Sequence, residues 1–216
     1  MHMMQFNPLY ANIDMLTSLV IVVCSFLIYF QTRDLYLLSK HEGIRYFRMA
    51  FLFFAAAFIV PLFRIPMRGW QGFGYNYVLH FVMVYLGTMA VLALLMSVIW
   101  KKLDGRSLLA PLLMNLAAIC VAGLTLFLRM PLLVFLIQVI IFVSVVAISY
   151  AENKEKRRTA KLYVLYMIIF LAWLANIAAN MTWLVSPEVS SVLNIVSAAL
   201  FITLAAKVIR KTHPLK

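Results

Sequence analysis

The stretch LYVLYMIIFLAWLANIAANMTWL, residues 162–184, contains no charged side chain, and it directly follows AENKEKRRTAK, residues 151–161, which holds five basic residues. An uncharged run of this length, at about 1.5 Å per helical residue, is enough to cross the roughly 30 Å hydrocarbon core of a bilayer. Two amides interrupt it, Asn176 and Asn180. An amide in hydrocarbon costs several kcal/mol unless it finds a partner. On a helix, Trp173, Asn176, Asn180 and Trp183 share one face, while Leu174, Ile177, Met181 and Leu184 fall opposite and are expected to face lipid. The amide stripe is therefore expected to point into a bundle of other helices.

The rest of the chain repeats the pattern. Its 216 residues are 65% hydrophobic and 12% charged, with a mean hydropathy of +0.98. Soluble domains are about half apolar and a quarter charged. The expected fold is an all-α integral membrane protein, one domain over residues 1–216. Seven apolar runs are readable: Ile13–Phe30, Tyr46–Arg64, Phe73–Trp100, Ser107–Leu128, Pro131–Tyr150, Leu162–Leu184 and Glu188–Lys207. Each is long enough to span with some tilt. The segment from Met15 to Phe30 has neither a basic flank before it nor a small-residue cleavage site, so it reads as a retained helix rather than a signal peptide. Cys24 and Cys120 both fall in apolar runs and read as buried thiols.

Charge sets the expected orientation. Of 19 basic residues, 16 fall in alternate connectors and the C-terminal end. Only Arg64, Arg68 and Arg129 lie on the other side. The positive-inside rule then puts the N-terminus outside and the C-terminus in the cytoplasm of a multi-pass cell-membrane protein. The net charge of +12 sits between apolar runs, so it implies anionic lipid at the cytoplasmic face and not nucleic acid. Trp70, Tyr75, Tyr77, Trp100 and Trp183 fall where an aromatic belt would lie. The connector QTRDLYLLSKHEG, residues 31–43, reads as an extension of helix one or a short interfacial helix, with Thr32 as a cap and Gly43 as a stop. Similar endings (VIWKK and VIRKT) and similar openings of spans two and six suggest a repeat of residues 13–103 and 131–211 around a linking fourth span.

Polar side chains inside the runs mark the candidate site. Ser190, Asn194 and Ser197 share a face in span seven. Asp14, Thr17 or Ser18, and Ser25 do so in span one. Span three carries Tyr77 and His80, span four Asn115, and span five Gln138. With the N-terminus outside, most of Asp14, Tyr77, His80, Gln138, Asn180 and Asn194 fall about 4–13 Å outward of the midplane. Asn115 is an exception, and the inner half otherwise reads as plain Leu, Ile, Phe and Ala. The expected ligand-binding set is Asp14, Tyr77, His80, Gln138, Trp173, Asn176, Asn180, Asn194 and Ser197. The same amides also serve as interhelical glue in many bundles. His80 reads either as a packing residue or as a protonation switch, since an unperturbed imidazole titrates at about pH 6.5. Asp14 and Arg64, at outer helix ends, either snorkel or pair across the mouth, and Pro61 can kink span two there.

Metal-protease, nucleophile-elbow and phosphate-loop signatures are missing, so no enzyme, metal or cofactor is expected. The segment IYFQTRDLYLLSKHEGIRYFRMAFLFFAAAFIVPLFR, residues 28–64, resembles the start of small multi-span archaeal membrane proteins of unassigned function. The architecture resembles SWEET sugar transporters, whose central Asn and Trp residues find counterparts of the right kind in Trp173, Asn176 and Asn194. The Pro-Gln dipeptides of that wider group are missing. It also resembles microbial rhodopsins in span count and orientation. Span seven, NIVSAALF, is similar to their DVSAKVGF pattern, with alanine in place of the retinal lysine; Lys207 lies at the far end of the helix, which argues against a retinal Schiff base. The expected function is a carrier or channel for a small solute or ion with an outward-facing polar pocket. The alternative is a sensor signalling through a cytoplasmic partner.

Overall fold

The computed structural model describes residues 8–64, 73–100, 109–128, 131–155, 162–180 and 185–212. They form seven helices: α1 (Pro8–Ser39), α2 (Glu42–Arg64), α3 (Phe73–Ile99), α4 (Leu109–Leu128), α5 (Pro131–Glu155), α6 (Leu162–Asn180) and α7 (Pro187–Thr212). No strand occurs among the described residues. Five helices carry segments long and apolar enough to cross a membrane, in α1, α2, α3, α5 and α7; the apolar stretches of α4 and α6, Leu109–Thr125 and Tyr163–Ala179, are shorter.

The side-chain distribution identifies the solvent as lipid. Leu16, Leu19, Val23 and Leu27 on α1 lie on the outside of the bundle, as do Leu112, Leu113 and Leu116 on α4, Leu136 and Ile140 on α5, and Val192, Ile195 and Ile202 on α7. A water-soluble helix would carry charges on that face. This is a membrane-embedded bundle. Lipid tails are as apolar as leucine, so association of the helices rests on close packing and interhelical hydrogen bonds.

Each helix packs against the next in sequence, and α7 returns to pack on α1. α3 also touches α5 directly, which leaves α4 at the margin. The most extensive interface is between α2 and α3, and both helices carry buried alanines, Ala50, Ala55 and Ala57 on one and Ala90 and Ala93 on the other. Small side chains let the backbones approach. α2 also reaches across the bundle: Phe54 and Phe58 meet Phe201 of α7, and Phe47 meets Tyr166 of α6.

The connector between α1 and α2 is mostly helix. α1 runs unbroken to Ser39, and Lys40 ends it by taking a left-handed φ of 47°. Its amide donates to the Tyr36 carbonyl at 2.7 Å. Thr32 is not a cap: its hydroxyl donates to Ile28 O at 2.7 Å within the helix. Gly43 does not stop α1 but sits in the first turn of α2. A Cβ there would lie 2.7 Å from Trp100 Nε1 and 2.8 Å from the Ser97 carbonyl, so glycine is needed for this close approach. Trp100 is accordingly a packing residue, its ring 4.3 Å from that of His41. Trp70 and Trp183 lie outside the described residues.

Candidate functional site

Two hydrogen bonds fix the register of α1 against α7. Asn194 Nδ2 donates to Asp14 Oδ1 at 2.8 Å, and Gln31 Nε2 donates to Thr212 Oγ1 at 2.9 Å. Both pairs run in the same order along the two helices, so α1 and α7 are parallel. At the Asp14 end, α7 is also tied to α6. Ser190 Oγ donates to Ala179 O and Ser197 Oγ to Ala172 O, each at 2.8 Å. Here the order reverses, so α6 is antiparallel to α7. The shared face of Ser190, Asn194 and Ser197 thus lies in the seam where α7 meets both neighbours.

That seam is not fully satisfied. Asn194 Oδ1 and Ser191 Oγ are buried without a hydrogen-bond partner, and so is Ser25 Oγ further along α1. A buried polar atom left without a partner costs about 1–3 kcal/mol, so such atoms are scarce in stable folds. Thr17, one turn beyond Asp14, is spent within α1: its hydroxyl donates to Ile13 O at 2.9 Å. Asp14 itself is exposed.

The other expected site residues are distributed around the bundle. Trp173 is 5% exposed and stacks among Phe135, Phe142 and Phe170, with centroids 6.1, 4.9 and 6.4 Å away. It adjoins Ala172, the acceptor for Ser197, so Trp173 and Ser197 share one neighbourhood. Gln138 is buried between α5 and α3, donating to Thr88 Oγ1 at 2.9 Å. Tyr77 and His80 are exposed, and Asn176 is half-buried. Asn180 ends α6, and its side chain lies outside the described residues. Leu174 and Ile177, expected to face lipid, pack instead against the core; the outward stripe of α6 passes through Met167 and Leu171. Cys120 is exposed on α4, not buried, whereas Cys24 is buried as expected.

The end of the bundle that holds Gln31 is not plainly apolar. Ser97 and Tyr166 are buried and joined at 2.8 Å between α3 and α6. Arg48 donates from Nε to Tyr29 O at 3.3 Å and lies over the Tyr29 and Tyr36 rings, 4.7 and 5.6 Å from their centroids. Asn115 Oδ1 accepts from Tyr85 Oη at 2.6 Å, and its Nδ2 donates to Pro111 O. Asn115 is the polar residue that the sequence marks on this half, whereas Arg48 counts only as a basic connector residue. Nothing in the sequence marks Ser97 or Tyr166 as partners.

The geometry supplies hard oxygen donors of low total charge at the Asp14 end: one carboxylate, one amide carbonyl and one hydroxyl. Among the described residues no cluster of three or more His, Cys, Asp or Glu side chains could hold a metal ion.

The chain is similar to an uncharacterized protein of Archaeoglobus fulgidus. The two are 29% identical over 214 residues, a match covering 90% of each chain. No family model matches, and no solved structure does. The archaeal likeness read from residues 28–64 thus extends along most of the chain, while the resemblances to SWEET transporters and microbial rhodopsins gain no support.

Proposed function

We propose that this protein is a carrier or channel for a small solute or ion, with a polar pocket formed near the Asp14 end of α1, α6 and α7. All seven helices cross the membrane in this reading, with that end outside and the basic C-terminal end in the cytoplasm, where it meets anionic lipid. The observation that carries it is the Asp14–Asn194 pair. A carboxylate held by an amide at 2.8 Å, with the amide oxygen of the same side chain buried and unpartnered, is more than two helices need to stay together. Ser197, Trp173 and Asn176 extend the site along α6 and α7. Tyr77 and His80 stand at its mouth on α3, while Gln138, held by Thr88 between α5 and α3, serves as a packing amide. No catalytic chemistry is assigned.

The order of helix contacts supports the repeat of residues 13–103 and 131–211. α1 on α2 corresponds to α5 on α6, α2 on α3 to α6 on α7, and α1 on α7 to α5 on α3. α4 is the helix left over. Such a duplication places a site between its halves in many transporters.

Uptake of radiolabelled sodium and of small neutral solutes into proteoliposomes tests the proposal. Uptake above that of protein-free vesicles, reduced by Asp14→Asn, supports it. A second reading, a sensor with a cytoplasmic partner, is favoured by one feature: Arg33, Lys207, Arg210 and Lys211 are exposed at the joined C-terminal ends of α1 and α7. Absence of any uptake, together with capture of a cytoplasmic partner dependent on those four residues, would favour it.

A further inference from the structure

We infer that Asp14, Ser191 and Asn194 form a binding site for a small monovalent cation between α1 and α7. The inference rests on the pocket proposed above and names the ligand class of its α1–α7 wall. Asn194 uses its amide nitrogen on Asp14, which fixes the amide plane and leaves Oδ1 beside the carboxylate. That oxygen is buried and has no donor. Ser191, one turn earlier on the same buried stripe of α7, has its hydroxyl oxygen buried and without a partner. Residues three apart on a helix have Cβ atoms about 5–6 Å apart, so one ion can touch both side chains.

The three groups together offer one carboxylate oxygen not used by Asn194, one amide oxygen and one hydroxyl oxygen. All are hard donors suited to alkali and alkaline-earth cations. With a single formal negative charge, a monovalent ion neutralises the site, whereas a divalent ion leaves an uncompensated charge next to hydrocarbon. An anion is disfavoured by the carboxylate. A bound cation also accounts for two otherwise idle buried oxygens, since it accepts lone pairs from both without needing a proton from either.

The test uses full-length protein in detergent micelles, melted in sodium, lithium, potassium or choline chloride at equal ionic strength. Sodium is expected to raise Tm saturably, by about 5 °C or more over choline when in large excess over its Kd. Ser191→Ala is expected to weaken the apparent sodium affinity about tenfold, and Asp14→Asn to abolish the response. Thr203→Ala, on the lipid-facing side of α7, retains it. Ser191→Ala keeps the test decisive if Asp14→Asn fails to fold, because loss of an idle buried hydroxyl is nearly neutral or stabilising in itself. Equal melting in all four salts would overturn the inference, as would an unaltered sodium response in Ser191→Ala. Uptake is scored separately: sodium-linked melting without transport sinks the carrier reading alone, and transport without sodium-linked melting sinks this site alone.

Discussion

The two ends of the bundle solve the same problem differently. At the Gln31 end, polar groups close on one another: Ser97 with Tyr166, Gln31 with Thr212, Arg48 with the Tyr29 carbonyl and two aromatic faces. At the Asp14 end, the hydrogen bonds between α1, α6 and α7 leave Asn194 Oδ1 and Ser191 Oγ over. A closed set of polar contacts holds helices in one arrangement. A set with oxygens to spare has capacity for something else, and this contrast is what the proposal of a binding site at the Asp14 end rests on.

The contrast is broken most severely at Gly43. A methyl group there collides with Trp100 and with the Ser97 carbonyl, which belongs to the backbone and cannot swing aside. Gly43→Ala is expected to cost about 1–3 kcal/mol, read from the shift in denaturation midpoint of the purified protein. A stability equal to wild type would mean that the Gln31 end is loose, and the distinction between the ends would fail. Arg48→Met comes next. It removes the carbonyl bond and two cation–π contacts while keeping the stem, and a loss of about 1–2 kcal/mol is expected, with uptake per folded molecule retained.

His80 sharpens the account of the other end. It is exposed on the first half of α3, close to the helix start where Tyr77 also stands. If His80 serves the mouth, His80→Gln alters the pH dependence of uptake, measured across a pH series. Identical profiles in the two proteins would return His80 to the packing residues. The smallest effect is expected at Gly123, where an added Cβ meets nothing within 4 Å. Gly123→Ala gains about 0.4–1 kcal/mol from a stiffer unfolded chain, with no change at either end. A loss there would show α4 to be more tightly engaged than its marginal position implies.

Much of this fold is legible from hydropathy because lipid imposes a simple rule: long uncharged runs separated by charge. The starts of α3, α5 and α6 fall on the first residues of the apolar runs that forecast them. α1 escapes the rule beyond Phe30, since Gln31, Arg33 and Asp34 break the apolar run while the helix continues to Ser39, the first of the two forms that the composition of this connector suggests. Helix ends follow hydrogen bonding, and hydropathy does not register it. The shared face on α7 was readable from spacing, and the partners were not. That Asn194 meets Asp14, 180 residues away, depends on how α1 and α7 are juxtaposed, which no local pattern encodes. Gln138 shows the reverse: its depth suggested membership of the outer set, yet its amide is satisfied by Thr88 on the adjacent helix.

The most direct test compares one residue from each end on the same purified preparations, measuring melting temperature and uptake per folded molecule for Asn194→Ala and Tyr166→Phe. Tyr166→Phe is expected to lose about 1 kcal/mol of stability, with uptake intact, because it removes one buried interhelical bond. Asn194→Ala is expected to lose at least tenfold in uptake while costing no more stability than Tyr166→Phe. Unchanged uptake in Asn194→Ala, with a stability loss like that of Tyr166→Phe, would make both ends structural and contradict the account.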